Sequence, residues 1–260
     1  MDVSFLLATL EVPSHGSNLE KVIHSIYQQE TKYSYEICIY SPHEIKGQHI
    51  RWVKEENMLG PIYGYNYLCK HGSSGEYMIG IVDDHMFMTP FDFAIDKIRS
   101  EQYKDRKFKI CSLSTGAGHV EPLPLEGARF GSILSVKDSG WPKGNTMRFP
   151  VMDRSTLNNL LDGYWFHPEC RYHAGDIWLG CYLSFMDEPG LECFESRIQS
   201  LPGRGKNFDW EVVDANTVYA LVKGWHSGGR DYVSPERPMQ SPTRYHLIRD
   251  GRTYVQGYPE

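Results

Sequence analysis

Asp83-Asp84-His85 is the densest group of chemistry-bearing side chains in the sequence, and it follows directly on the apolar run Tyr77 to Val82. Acids and an imidazole at the end of a buried strand are presented at a sheet edge with little freedom. Carboxylate plus imidazole suits a divalent transition ion such as Mn2+, whereas Mg2+ prefers oxygen donors alone. The plainer reading is that charged residues simply open a loop. Three metal-capable groups in succession at such a position argue against it.

The elements that must present this triplet are legible around it. Val3 to Thr9 is a continuous apolar run, as expected for a strand covered on both faces. Ser17-Asn18-Leu19-Glu20 has a capping-box pattern. Leu19, Val22, Ile23, Ile26 and Tyr27 follow at helical spacing. Glu36 to Tyr40 and Ile50 to Val53 read as strands, Pro61 to His71 as a helix ended by Gly72-Ser73-Ser74-Gly75. Thr89-Pro90 predicts a helix through Arg99, with threonine as cap. Strands alternating with helices predict an α/β fold with a mostly parallel sheet. Ligands of such sheets bind outside the carboxyl ends of the strands, so Thr9-Leu10-Glu11, Tyr40-Ser41 and Asp83-Asp84-His85 belong to one edge. Further on, Lys107 to Ser114, Ser132 to Val136 and Thr146 to Met152 read as strands. Asp153 to Leu161 and Ala174 to Met186 read as helices, Asp176 standing at the start of the second.

Composition narrows the classes. The 260 residues carry 33 acidic and 27 basic side chains, a net charge of −6, with 40% hydrophobic residues. That is globular composition without the basic stripe a nucleic-acid surface needs. No apolar run reaches the roughly 18–20 residues of a membrane span, and the N-terminal run lacks the basic flank of a signal peptide. The six cysteines form no C-x-x-C pair and several sit in apolar segments, which predicts free thiols in a reducing, cytoplasmic setting. The aromatic residues, at 13%, are mainly core, though rings with a polar edge also suit carbohydrate.

In order and spacing, residues 3–100 resemble the N-terminal half of a GT-A fold glycosyltransferase, particularly family 2 of inverting, nucleotide-sugar-dependent enzymes. Ala8-Thr9-Leu10-Glu11 resembles that family's opening strand end, and Ile26-Tyr27-Gln28-Gln29 its first helix end. Gly64-Tyr65-Asn66, then Gly75-Glu76-Tyr77-Met78, resembles the segments that lead into the metal strand. Asp83-Asp84-His85 stands where the family places D-x-D, as the D-x-H variant of the related polypeptide N-acetylgalactosaminyltransferases. Met147 to Leu157 followed by Trp165 to Leu179 resembles the acceptor segment, with Gly175-Asp176 at the place of its acidic pair. Lys223-Gly224-Trp225-His226-Ser227-Gly228-Gly229 resembles the C-terminal histidine segment.

The resemblance implies a three-layer GT-A domain over 1–230, with a nucleotide-binding half at 1–100 and an acceptor half at 101–230. Residues 231–260, rich in Pro, Arg and Ser, are expected to form an irregular tail laid on the domain or used in self-association, being too few for a core of their own. Asp83, His85 and His226 are expected to hold Mn2+ or Mg2+ against the diphosphate of a nucleotide-sugar, by default a UDP-sugar. Thr9, Leu10 and Glu11 would line the nucleoside pocket, and Asp84 would reach the ribose or sugar. Asp176 would deprotonate a hydroxyl of a glycan or other acceptor, with His173 as runner-up, and Arg230 would clamp the diphosphate. The sequence departs from the family at two places. The second strand ends Tyr40-Ser41-Pro42 rather than in aspartates, which leaves Tyr40 to stack on the base, and Tyr65, expected in the nucleotide-sugar site, replaces an arginine that contacts phosphate or base. Two other classes stay open. A nucleotidyltransferase would want a basic phosphate loop after the first strand, and residues 10–17 contain no Lys or Arg. A non-catalytic carbohydrate- or partner-binding module would bind neither nucleotide nor metal.

Overall fold

The computed structural model of the chain describes residues 1–57, 59–115, 129–130, 134–135, 147–161, 163–168, 175–176, 179–180, 183, 191–201, 245–249 and 252–256. The expectations for His173, His226 and Arg230 lie outside the described residues.

In chain order the elements are β1 (Val3–Ala8), α1 (Asn18–Tyr27), β2 (Tyr35–Ser41), β3 (Ile50–Lys54), α2 (Pro61–Tyr67), β4 (Tyr77–Ile81), β5 (His85–Phe87) and α3 (Asp92–Arg99). There follow β6 (Ile110–Ser114), β7 (Arg129–Phe130), β8 (Leu134–Ser135), β9 (Pro150–Asp153), α4 (Arg154–Leu161), β10 (Leu191–Ser200), β11 (Tyr245–Arg249) and β12 (Arg252–Gln256). Eight strands form one sheet in the order β3-β2-β1-β4-β9-β6-β10-β5. The first four are mutually parallel, β9 runs against both its neighbours, and β10 is parallel to β6.

The strands' two-residue period sorts the core into two layers. Leu6, Cys38, Met78, Ile110 and Met152 face one way, packed with α2, α4 and Trp165. Phe5, Leu7, Ile37, Ile39, Ile79 and Val151 face the other, under α1 and α3. The result is helix, sheet, helix, the expected three-layer α/β architecture.

The caps show why the helices begin where they do. Ser17 Oγ accepts the Glu20 amide at 3.1 Å, and the Glu20 carboxylate returns to the Gly16 amide rather than that of Ser17. Asp153 Oδ1 accepts the Thr156 amide at 2.7 Å at the start of α4. α2 continues into a π-helical turn at Leu68–Gly72. Arg154 closes this end, its guanidinium donating to the carbonyls of Cys69 and Gly75 and to Ser73 Oγ.

Three expectations are corrected. Thr89 does not cap α3, which starts at Asp92 after Phe91; its hydroxyl donates to the Glu195 carbonyl and accepts the Arg197 amide, stitching the end of β5 to β10. Strands β5 and β10 were not among the expected elements. β10 changes register between Cys193 and Arg197 and so lacks an unbroken two-residue pattern. The C-terminal tail is not irregular throughout, since β11 and β12 form an antiparallel hairpin. Asp250-Gly251 stands between them in the sequence, a pair that favours two-residue hairpin loops.

Candidate functional site

β1 and β4 are parallel neighbours, so their carboxyl ends open at one edge of the sheet. Thr9, just past β1, donates its hydroxyl to Asp83 Oδ2 and accepts the Glu11 amide at 3.0 Å. Asp83 is thereby tied across two strand ends. Val82-Asp83-Asp84 turns the chain from β4 into β5, and the Asp84 carbonyl accepts the Leu201 amide at 2.6 Å. Asp84 Oδ1 lies 2.6 Å from Nδ1 of His85. In the tautomer that donates from Nδ1 to this carboxylate, Nε2 keeps its lone pair, the arrangement that orients a histidine ligand toward a metal. The Phe149 ring braces the imidazole at 4.7 Å between centroids.

A cleft of about 530 Å3 opens over these residues. Thr9, Leu10, Tyr65, Asp83, Asp84, His85 and Asp176 all line it, so most of the expected site converges. Asp176 forms part of another wall, described in helical conformation with Gly175. Its carbonyl accepts the Met147 amide at 3.0 Å, and its Oδ2 lies 3.9 Å from Nε of the exposed Arg148. Asn66 joins the two halves: Oδ1 accepts the amides of Trp165 and Phe166 at 2.7 and 2.9 Å, and Nδ2 donates to the Phe166 carbonyl at 3.0 Å. Gly175 packs so closely that an added Cβ would lie 2.8 Å from the Phe166 ring.

Three expected ligand contacts take other places. Tyr40 is buried against Tyr63 and Tyr67 and does not line the cleft, so its ring is no platform for a base. Glu11 turns away to accept the Leu19 amide at 2.8 Å, at the start of α1. Tyr65 does line the cleft, but its hydroxyl donates to the Ile81 carbonyl, bracing the end of β4; burial pushes this phenol far above its ordinary range, with Asp83 and Asp84 adding to the effect.

Several cleft residues were not foreseen. Arg148 is one. Glu55, just past β3, has a side chain that reads in sequence as part of the surface charge Lys54-Glu55-Glu56, yet it is only 6% exposed. Burial pushes its carboxyl up, against the backbone amides of Gly60 and Leu59 that favour the ionised form. Its Oε1 and the Nε1 of fully buried Trp165 have no hydrogen-bond partner among the described residues. Gly60, with φ 95°, makes the turn beside Glu55 that a side chain would resist.

No set of three or more His, Cys, Asp or Glu side chains arranged to hold a metal ion occurs among the described residues. Asp83 with a carboxylate-anchored His85 still fits a divalent transition ion in its chemistry. No helix among the described residues is long and apolar enough to cross a membrane.

No family model and no curated protein sequence matches the chain. Solved structures do. S. aureus TarS, residues 1–349 in complex with UDP-GlcNAc, superposes with a TM-score of 0.50 at 12% identity, over 80% of this chain and 61% of that one. GalNAc-T7 with UDP, GalNAc and Mn2+ superposes at 0.52 and 11% identity, over 77% and 44%. Glucosyl-3-phosphoglycerate synthase from Mycobacterium tuberculosis, with Mg2+ and UDP, gives 0.49 at 13%, over 99% and 87%. The chain thus spans less than two thirds of the length of the first two. Its parallel β3-β2-β1-β4 half, with an acidic turn at the end of β4 and an antiparallel β9 beyond it, is the GT-A fold.

Proposed function

We propose that the chain is a metal-dependent, inverting glycosyltransferase that moves a sugar from a nucleotide-sugar, by default a UDP-sugar, to a hydroxyl of a glycan or other acceptor. The observation that carries this reading is the placement of the Thr9-tied Asp83, the Asp84-anchored His85 and Asp176 around one cleft of a GT-A fold. The nucleotide-sugar or nucleotide bound by TarS and by GalNAc-T7, the latter with Mn2+, supports it.

Asp83 and His85 would hold the divalent ion, with His226 as third ligand. When bound, such an ion offsets the charge that develops on the leaving diphosphate. Thr9 fixes Asp83 and Asp84 fixes His85, so both ligands are set before the donor arrives. Thr9 and Leu10 line the nucleoside side, and Arg230 is assigned to the diphosphate. Trp165 and Phe166 exclude water from the wall beneath. Asp176 takes the proton of the acceptor hydroxyl as that oxygen attacks the anomeric carbon. The bond from that carbon to the diphosphate oxygen breaks in the same displacement, which inverts the centre. Free, buried Cys38, Cys69, Cys111 and Cys193 support a reducing, cytoplasmic setting.

Asp176→Asn tests the assignment. The carboxylate is partly exposed and its ion pair with Arg148 is long, so the isosteric amide should leave the fold intact. Loss of a general base costs about 10²–10⁴-fold in turnover, and nucleotide binding should persist. Turnover near the parental rate, or a product of retained configuration by NMR, would remove Asp176 or the inverting mechanism from the account.

A further inference from the structure

We infer that Glu55 selects the donor's base, its unpartnered carboxylate oxygen accepting the ring N–H of a pyrimidine imide, uracil or thymine; this rests on the nucleotide-sugar reading above. Glu55 sits at the carboxyl end of β3, its amide donating to the Ser41 carbonyl at 3.0 Å at the end of β2. It shares the cleft with Asp83 and His85 at the end of β4. In the strand order β3-β2-β1-β4 these ends are three strand spacings apart, roughly 14 Å at about 4.8 Å each. That is about the reach from a metal-bound diphosphate across a ribose to the far edge of a base.

The chemistry of the carboxylate selects among bases. Oε1 has no hydrogen-bond partner among the described residues, while the amides of Gly60 and Leu59 act on the carboxylate. A buried acceptor left without a donor is costly, and a ligand N–H relieves it. Uracil and thymine offer a single ring N–H between two carbonyls. Cytosine and adenine place a lone pair at the equivalent ring nitrogen, facing the carboxylate. Guanine offers two donors side by side, which suits a carboxylate with both oxygens free. Pro61 and Ile62, also lining the cleft next to Gly60, supply apolar surface for a flat ring.

Titration calorimetry of the full chain with Mn2+ tests this, using UDP, TDP, CDP, GDP and UDP methylated at N3 as probes. UDP and TDP should bind about tenfold or more tightly than CDP, GDP and the N3-methyl analogue, the worth of a hydrogen bond to a charged group. Glu55→Gln should lose a similar factor for UDP and, by turning an amide N–H to the cleft, narrow or reverse the preference over CDP. The N3-methyl arm uses the unaltered protein, so a poorly folding variant would not shield the inference. Equal binding of UDP and its N3-methyl analogue, a preference for GDP, or unchanged UDP affinity in a folded Glu55→Gln would overturn the role of Glu55 and leave the glycosyltransferase reading standing. No binding of any nucleoside diphosphate would overturn both.

Discussion

His85 is held from two sides, by Asp84 Oδ1 at 2.6 Å from Nδ1 and by the Phe149 ring at 4.7 Å. Removing the imidazole should therefore affect a ligand more than the fold. His85→Ala is expected to abolish metal-dependent nucleotide binding at a nearly unchanged melting temperature. Asp84→Asn should weaken Mn2+ affinity roughly 10–100-fold, the usual effect of losing a carboxylate behind a histidine ligand. Full Mn2+-dependent UDP affinity in either variant would contradict the assignment. Glu55 makes the opposite kind of case. Its carboxyl is pushed up by burial, so the ionised form is disfavoured in the folded chain. The penalty is absent below the usual carboxylate range and present at neutral pH. Glu55→Gln should accordingly raise the melting temperature at pH 7 while weakening UDP binding. Asp83, Asp84 and His85 were legible because they are contiguous and follow an apolar run. Glu55 was not, because its burial depends on the turn at Gly60 folding back over it.

At the scale of elements, Glu36 ties the start of β2 to the loop before β4. Its Oε1 accepts Ser4 Oγ at 2.7 Å, the Ser74 amide at 2.6 Å and Ser74 Oγ at 2.8 Å. Burial opposes the charge, but these donors outweigh it and hold the carboxyl below its usual range. Its contribution is then complete above the unfolded carboxylate range and lost as pH falls through the lower folded value. Glu36→Gln should cost about 1 kcal/mol, some 2–4 °C in melting temperature, at pH 7, with the difference from the parent shrinking in acid. A difference that grows in acid would refute the sign. Gly80 in β4 backs onto Trp165, where an added Cβ would lie 2.9 Å from Cζ2. Gly80→Ala should destabilise by about 1–3 kcal/mol through overpacking, measured by urea unfolding. Strands β1 to β4 and the helices between them were readable because each keeps one period along its length. Thr89 misled because its hydroxyl serves β10, a partner more than a hundred residues away whose own pattern is broken by a register shift. Tyr40 and Glu11 likewise sit at the right strand ends, but neighbouring rings and the amides of α1 claim their side chains.

Across the whole molecule, the fold brings distant segments to one edge: Thr9 and Leu10 after β1, Glu55 after β3, the acidic turn after β4, and Asp176 beside Arg148. The N-terminal half was legible as a repeating strand–helix pattern. The far wall depends on Asn66 gripping Trp165 and Phe166 a hundred residues on, a pairing that no local pattern announces. The central claim is that this edge binds a nucleoside diphosphate through a divalent ion. Thermal unfolding of the full chain with UDP, TDP and GDP, each with and without Mn2+, tests it most directly. A ligand that binds only the folded state stabilises by about 2.7 kcal/mol at a hundredfold excess over its dissociation constant. UDP with Mn2+ should give a shift of that order, UDP alone little, and His85→Ala none. No shift with any of the three nucleotides, with or without Mn2+, would contradict the account.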